Sequence, residues 1–122
     1  MTFFWLGYEA ENLKATLDLG KSVEVSNVIV SALADNGSWI FHPVGIRVEA
    51  SNDGRNFKQV VNKNIPIPDE SSPASLKYFS AKFDSQNVRY LRVTVKNIMQ
   101  NPEWHSNPGG KSWVFVDEIL VE

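Results

Sequence analysis

Two stretches alternate strictly between apolar and polar residues, VGIRVEA at 44–50 and RYLRVTV at 89–95. In the second, Leu91, Val93 and Val95 share one face, while Tyr90, Arg92, Thr94 and Lys96 share the other. That is the signature of an antiparallel strand with one face buried and one wet. Runs at 15–19, 25–33, 57–61, 76–83 and 112–121 are rich in β-branched and aromatic residues and are bounded by turn formers, so they are predicted as strands too. No long amphipathic helical pattern interrupts them. Asn52-Asp53-Gly54-Arg55 falls between two of these runs and predicts a hairpin turn, Gly54 supplying the positive φ. NIPIPDESSP at 64–73 carries three prolines and reads as a surface loop. The expected fold is all-β, a sandwich of two antiparallel sheets, either jelly-roll or immunoglobulin-like, because periodicity does not choose between them. Trp113 and Phe115, inside the last run, are expected in the core.

The chain of 122 residues is the usual size of one domain, so residues 1–122 are read as a single unit. Its 12 basic and 14 acidic residues are spread without blocks, which argues against a nucleic-acid or anionic-membrane partner. No apolar run approaches the roughly 18 residues that span a bilayer. The absence of cysteine removes disulfides, thiolate zinc sites and thiol catalysis together.

A search for catalytic groups finds little. Asp117-Glu118 on a strand would point to opposite faces and could not share a substrate. Asp69-Glu70 sits in the proline loop, where a solvated turn explains it. His42 and His105 meet none of the zinc spacings. Gly110-Lys111-Ser112 has the ending of a phosphate-binding loop, but a strand follows it where a helix is needed, so a nucleotide site is rejected. Asn36-Gly37-Ser38 fits both a glycosylation sequon and a turn, and the turn is preferred. No enzyme activity is predicted.

Large aromatics stand out by their placement. Trp5, Tyr8, Trp39, Phe41 and Trp104 lie among turn formers rather than in clean strand patterns, and His42, His105 and Lys111 lie close to them in sequence. A sugar ring offers an apolar C–H face that packs on an indole or phenol, and hydroxyls that need polar partners. Trp39 and Trp104 are therefore candidate stacking platforms, with Trp5 and Tyr8 beside them and His42, His105 and Lys111 as polar contacts. The alternative is that these rings cap the open end of the sandwich.

The order of Trp5, ATLDLG at 15–20, VSNV at 25–28, VEASNDGRNF at 48–57, RYLRV at 89–93 and Glu118-Ile119 resembles the coagulation factor 5/8 type C, or discoidin, family over nearly the whole chain. FWLGYE at 4–9, GSWIF at 37–41, Trp104-His105 and GGKSWVFVDEI at 109–119 are similar to the C-terminal discoidin-type domain of bacterial family 20 glycoside hydrolases, the β-N-acetylhexosaminidases or chitobiases. The resemblance implies a galactose-binding-domain-like jelly roll and an ancillary rather than catalytic role. In the related family 32 carbohydrate-binding modules, sugar binds in loops at one end, which here are 4–9, 35–42 and 98–111. The expected partners are a glycan containing N-acetylglucosamine or galactose, bound near millimolar, roughly −4 kcal/mol, and the catalytic domain of the parent enzyme. The parent is expected in the periplasm, at the cell surface or secreted. A scaffold domain that binds no sugar is the alternative. The family's first strand and an Asp/Gly loop ahead of the Trp5 position have no counterpart here, which suggests a piece of a larger enzyme. That loop commonly helps bind a structural calcium with a glutamate that Glu118 matches; one carboxylate cannot by itself supply the roughly six to eight oxygens calcium takes, so the resemblance leaves calcium open, with Glu118 as its one matched ligand, and implies no other cofactor.

Overall fold

A computed structural model describes residues 2–9, 11–67 and 73–122, the first of these segments as backbone alone. The strands are β1 (Thr2–Glu9), β2 (Leu13–Ala34), β3 (Gly45–Ser51), β4 (Lys58–Asn64), β5 (Ser75–Lys96) and β6 (Trp113–Val121), with one 3-10 turn, η1 (Asn36–Ser38). They form an antiparallel sheet in the order β1-β6-β2-β5-β3-β4.

That sheet folds over on itself. The first half of β2, 13–18, pairs with 90–95 of β5, and the second half, 27–34, pairs with 75–82. The register breaks between Asp18 and Val23 and between Val25 and Asn27. Beyond the breaks β6 joins the second half of β2, whereas β3 joins the second half of β5. Two half-sheets result, and the long strands pass through a bulged corner from one to the other. Leu13, Leu17, Ile46, Val48, Leu91, Val93 and Val95 from one half and Val28, Val30, Val114, Val116 and Ile119 from the other form one buried cluster. This is the expected jelly-roll sandwich.

The corner explains the main difference from the sequence reading. The runs at 15–19 and 25–33 are one strand, and so are those at 76–83 and 89–95, because the polar residues between them form the bend instead of ending the strands. Asp18 staples it: its carboxylate accepts from the Gly20 N–H at 2.8 Å and from Arg89 at 2.9 and 3.2 Å. Gly20 has a φ of 84°.

Two further corrections follow from register. Residues 4–9, expected as a loop, lie in β1, where Phe4 is opposite Glu118 and Glu9 opposite Trp113. Trp113 and Phe115 are not core residues. Val114 and Val116, 1% and 2% exposed, take the inner face, so Trp113 and Phe115 lie half-buried on the outer one, with ring centroids 5.8 Å apart. Asp117 is the extra residue of a bulge, since Ser31 pairs with Glu118 and Ala32 with Val116; that slip puts Ile119 back on the inner face.

The predicted hairpin turn joins β3 to β4, and Gly54 has a φ of 75°. A Cβ there would stand 3.2 Å from the Tyr90 ring. Gly54→Ala is expected to cost roughly 1–2 kcal/mol, from the left-handed backbone and the tight contact, read as a lower urea midpoint at unchanged slope. The Asp53 carboxylate accepts from the N–H groups of Asn56 and Arg55, the Ser51 hydroxyl and the Asn56 amide. These donors hold it well below its ordinary 3.8. Asp18 is shifted the same way by its bond to Arg89. A carboxyl depressed on folding adds stability above its unfolded value and loses it as pH falls through the folded one. The contribution of these two carboxyls is therefore expected to be flat above about pH 5 and to drop below about pH 4. The acid drop of Asp53→Asn should be shallower than that of the parent chain in denaturation curves run from pH 7 to 2.5.

Candidate functional site

The end of the sandwich opposite the corner gathers the loops that follow β2, β4 and β5, the first because Asp35 and Ile40 close a tight loop. Asp35 N–H donates to the Ile40 carbonyl at 2.9 Å and Ile40 N–H to the Asp35 carbonyl at 3.0 Å. Inside it, η1 confirms the predicted turn; Asn36 is 5% exposed, which leaves no room for a glycan on its amide. Trp39 leaves the turn with a φ of 65°. The chain then docks on β6, as Trp113 N–H donates to the Trp39 carbonyl at 2.8 Å and Phe41 N–H to the Trp113 carbonyl at 3.0 Å.

Loop 97–112 is held by asparagines. Asn101, 4% exposed, donates from its amide to the Asn107 carbonyl at 3.0 Å and accepts from the Ser112 hydroxyl at 2.7 Å. Asn97 accepts from the Met99 N–H at 2.7 Å and donates to the Ser112 carbonyl at 3.2 Å. A segment with two prolines and two adjacent glycines keeps one shape because these side chains replace missing ladder bonds. Sequence reasoning missed Asn97, Asn101 and Ser112; the density of asparagine in the loop was the available signal.

The candidate residues separate into groups. Phe41, 2% exposed, lies at the centre of an aromatic cluster, 6.0 Å from Trp104 and 5.6 Å from His105 between ring centroids. Trp39 meets His105 edge-on at 6.4 Å. A Cβ on Gly110 would come within 3.2 Å of the Trp39 ring, so that indole lies against bare backbone. His105 is buried and both its ring nitrogens are used: Nδ1 accepts from the Asn107 N–H at 2.9 Å, so Nε2 carries the hydrogen and donates to the Asn36 carbonyl at 2.6 Å. It ties the two loops together. Trp104, half-buried, lines a concavity of about 260 Å³ with Asn36, Gly37, His105 and Ser106. His42 lies elsewhere, in a neighbouring concavity of about 160 Å³ that shares Asn36 and is also lined by Phe41, Lys77 and Phe79. Desolvation lowers the His42 ring below its ordinary 6.5, partly offset by its bond to the Ser75 carbonyl, and the nearby Lys77 charge lowers it further. Lys111 is exposed and lines neither concavity. Trp5 and Tyr8 fall on β1, whose side chains lie outside the described residues, as does Asp69-Glu70.

Glu118 lies on β6 beside Tyr78. Its carboxylate accepts from the Tyr78 hydroxyl at 3.3 Å. Among the described residues no three histidine or acidic side chains gather to hold a metal, against the roughly six to eight oxygens that calcium takes. No helix among them is long and apolar enough to cross a membrane.

Two half-sheets sharing their longest strands, with loops collected at one end, define a jelly-roll domain. The chain belongs to the F5/8 type C domain family, whose model matches residues 2–118. No curated protein matches it significantly. Among solved structures it is similar to CpGH89CBM32-5 from Clostridium perfringens, in complex with GalNAc-β-1,3-galactose, at 21% identity and TM-score 0.53, covering 93% of this chain and 74% of that one. A pectin binding carbohydrate binding module matches at 13% identity and TM-score 0.57, over 97% and 70%. The C-terminal domain of a chitobiase from Bacteroides fragilis matches at 14% identity and TM-score 0.45, over 92% and 66%.

Proposed function

We propose that this domain is a non-catalytic carbohydrate-binding module of a bacterial glycoside hydrolase, exported with its parent, which we take to be a β-N-acetylhexosaminidase or chitobiase. The observation that carries the reading is the concavity of about 260 Å³ that Trp104 lines together with Asn36, Gly37, His105 and Ser106, an indole set among polar groups. Such a surface suits one or two sugar rings. It makes few contacts, so binding is near millimolar, roughly −4 kcal/mol. Support comes from the carbohydrate-binding modules among its structural neighbours. Trp104 is the platform; Trp39, braced on Gly110, and His105 hold it in place. Lys111, exposed outside both concavities, is proposed as a further polar contact to the glycan.

The test is a ¹⁵N-HSQC titration with N-acetylglucosamine, galactose, N-acetylgalactosamine and chitobiose. Saturable shifts at Gly37, Trp104 and Ser106 that Trp104→Ala abolishes in a still-folded domain would support it. A well-dispersed spectrum that no sugar perturbs at tens of millimolar, a range covering roughly −2 to −3 kcal/mol, would refute it.

One observation favours a second reading, a scaffold that packs on the catalytic domain. On the outer face of the β6 half-sheet, Phe115, Leu33 and Leu76 lie in one row across three strands, with Leu76 47% and Tyr78 60% exposed. In that case sugars leave the spectrum unchanged, and Leu76→Asp weakens association with the catalytic domain.

A further inference from the structure

The concavity at His42 opens on the side of the sandwich where residues 75–82 of β5 have β2 as their described strand partner and β4 ends the facing half-sheet. Two side chains reach across this gap. Lys63 of β4 donates from Nζ to the Ser80 carbonyl at 2.6 Å, and His42 meets the Ser75 carbonyl through Nε2 at 3.3 Å. A carbonyl only accepts, so Nε2 carries the ring hydrogen and Nδ1 is left as an acceptor. Phe41, Phe79, Ile65 and Pro66 give the concavity apolar walls. Lys77 belongs to the inner face of β5: it is paired with Ala32, 0% exposed, and lies two residues before Phe79. Its stem therefore follows the apolar wall while the exposed ammonium stands at the rim. Among the described residues no carboxylate lines the concavity, and Lys77 has no ion pair there.

An apolar wall, a hydrogen-bond acceptor and a cation with no ion pair among the described residues suit a sugar ring that carries a negative charge. We propose that this concavity takes an acidic sugar, one bearing a carboxylate or sulfate substituent, with Lys77 pairing the anion and His42 Nδ1 accepting from a ring hydroxyl. The inference rests on the carbohydrate-binding reading and names the sugar class for it. Because Asn36 borders both concavities, a neutral ring against Trp104 and an acidic ring here are adjacent units of one chain.

The experiment is an NMR titration of the domain at low salt with galactose, galacturonic acid and galactose 6-sulfate, and with sodium sulfate as a bare anion, repeated on Lys77→Met and Lys77→Arg. Both variants keep an unbranched stem along the apolar wall, so the packing there is retained. One or both acidic sugars should bind about tenfold more tightly than galactose, as a charge-assisted bond allows, with shifts at His42 and Phe79. The acidic sugar that gains more identifies the substituent. Lys77→Met should erase the preference, Lys77→Arg should keep it, and added salt should shrink it. The proposal is overturned if galactose binds as well as both acidic sugars, if sodium sulfate alone reproduces their shifts, or if Lys77→Met keeps the preference. Neutral sugars that shift Trp104 without any acidic advantage sink this inference alone. Silence with every sugar sinks the carbohydrate-binding reading, and this inference with it.

Discussion

Replacing Phe41 by alanine is expected to destabilise the domain by about 3–5 kcal/mol, the usual cost of deleting a buried phenyl ring. The ring is 2% exposed and touches Trp104 and His105, so its loss opens a void that neither neighbour can fill without leaving its place. The void also lies between the two concavities, since Phe41 lines one and its ring partners line the other. Urea denaturation followed by tryptophan fluorescence gives the magnitude. A change below about 1 kcal/mol would mean that the loop end collapses around the gap, as only the most plastic sites do. Phe41→Leu, which keeps much of the volume, should lose less than half as much.

His105→Leu is expected to cost about 1.5–4 kcal/mol, although leucine is more apolar and close in size. Both ring nitrogens are satisfied in the folded chain; removing them takes one donor from the buried Asn36 carbonyl, which keeps the Trp39 N–H at 3.1 Å, and leaves the Asn107 N–H without its acceptor, a lost bond costing roughly 0.5–1.5 kcal/mol and an unpaired group roughly 1–3. Because those partners sit on different loops, the damage should spread. Amide hydrogen exchange should quicken at Asn36 to Ile40 and at Asn107 together, while the strands between Leu91 and Val95 keep their protection. Uniform acceleration over the whole chain would instead mark a loss of global stability. His105→Gln, which can still donate to one partner, should recover part of the loss.

These effects show how unevenly the chain discloses itself. Strands at 44–50 and 89–95 are legible because one face is wet, which writes a period of two into the sequence. The corner is not. Asp18, Gly20 and Asp84–Val88 have the composition of chain reversals, and only the pairing of both long strands on either side reveals that they bend without ending. At the site, the unusual positions of Trp39, Trp104 and His105 are visible in sequence, and they do come together. Their division of labour is not visible, because a histidine that binds a ligand and one that ties two carbonyl-bearing loops have the same neighbours in sequence. Lys77 shows the converse. It sits in an alternating run where a charge reads as solvent-facing, yet its position on the inner face at the sandwich mouth follows from its pairing with Ala32.

The strands that turn the corner also set the speed at which the molecule is made. Leu13 faces Val95 and Ala34 faces Ser75, so neither half-sheet can be completed until segments far apart in the chain have met. Closing that long loop comes before most of the reward, which places the domain among slow, high-contact-order folders, on the order of milliseconds to seconds. While it waits, the apolar faces of β2 and β5 are open to other nascent chains. Yield on expression is therefore a property of the folding race as much as of the final fold, and it should improve at low temperature and low synthesis rate even for variants of unchanged stability.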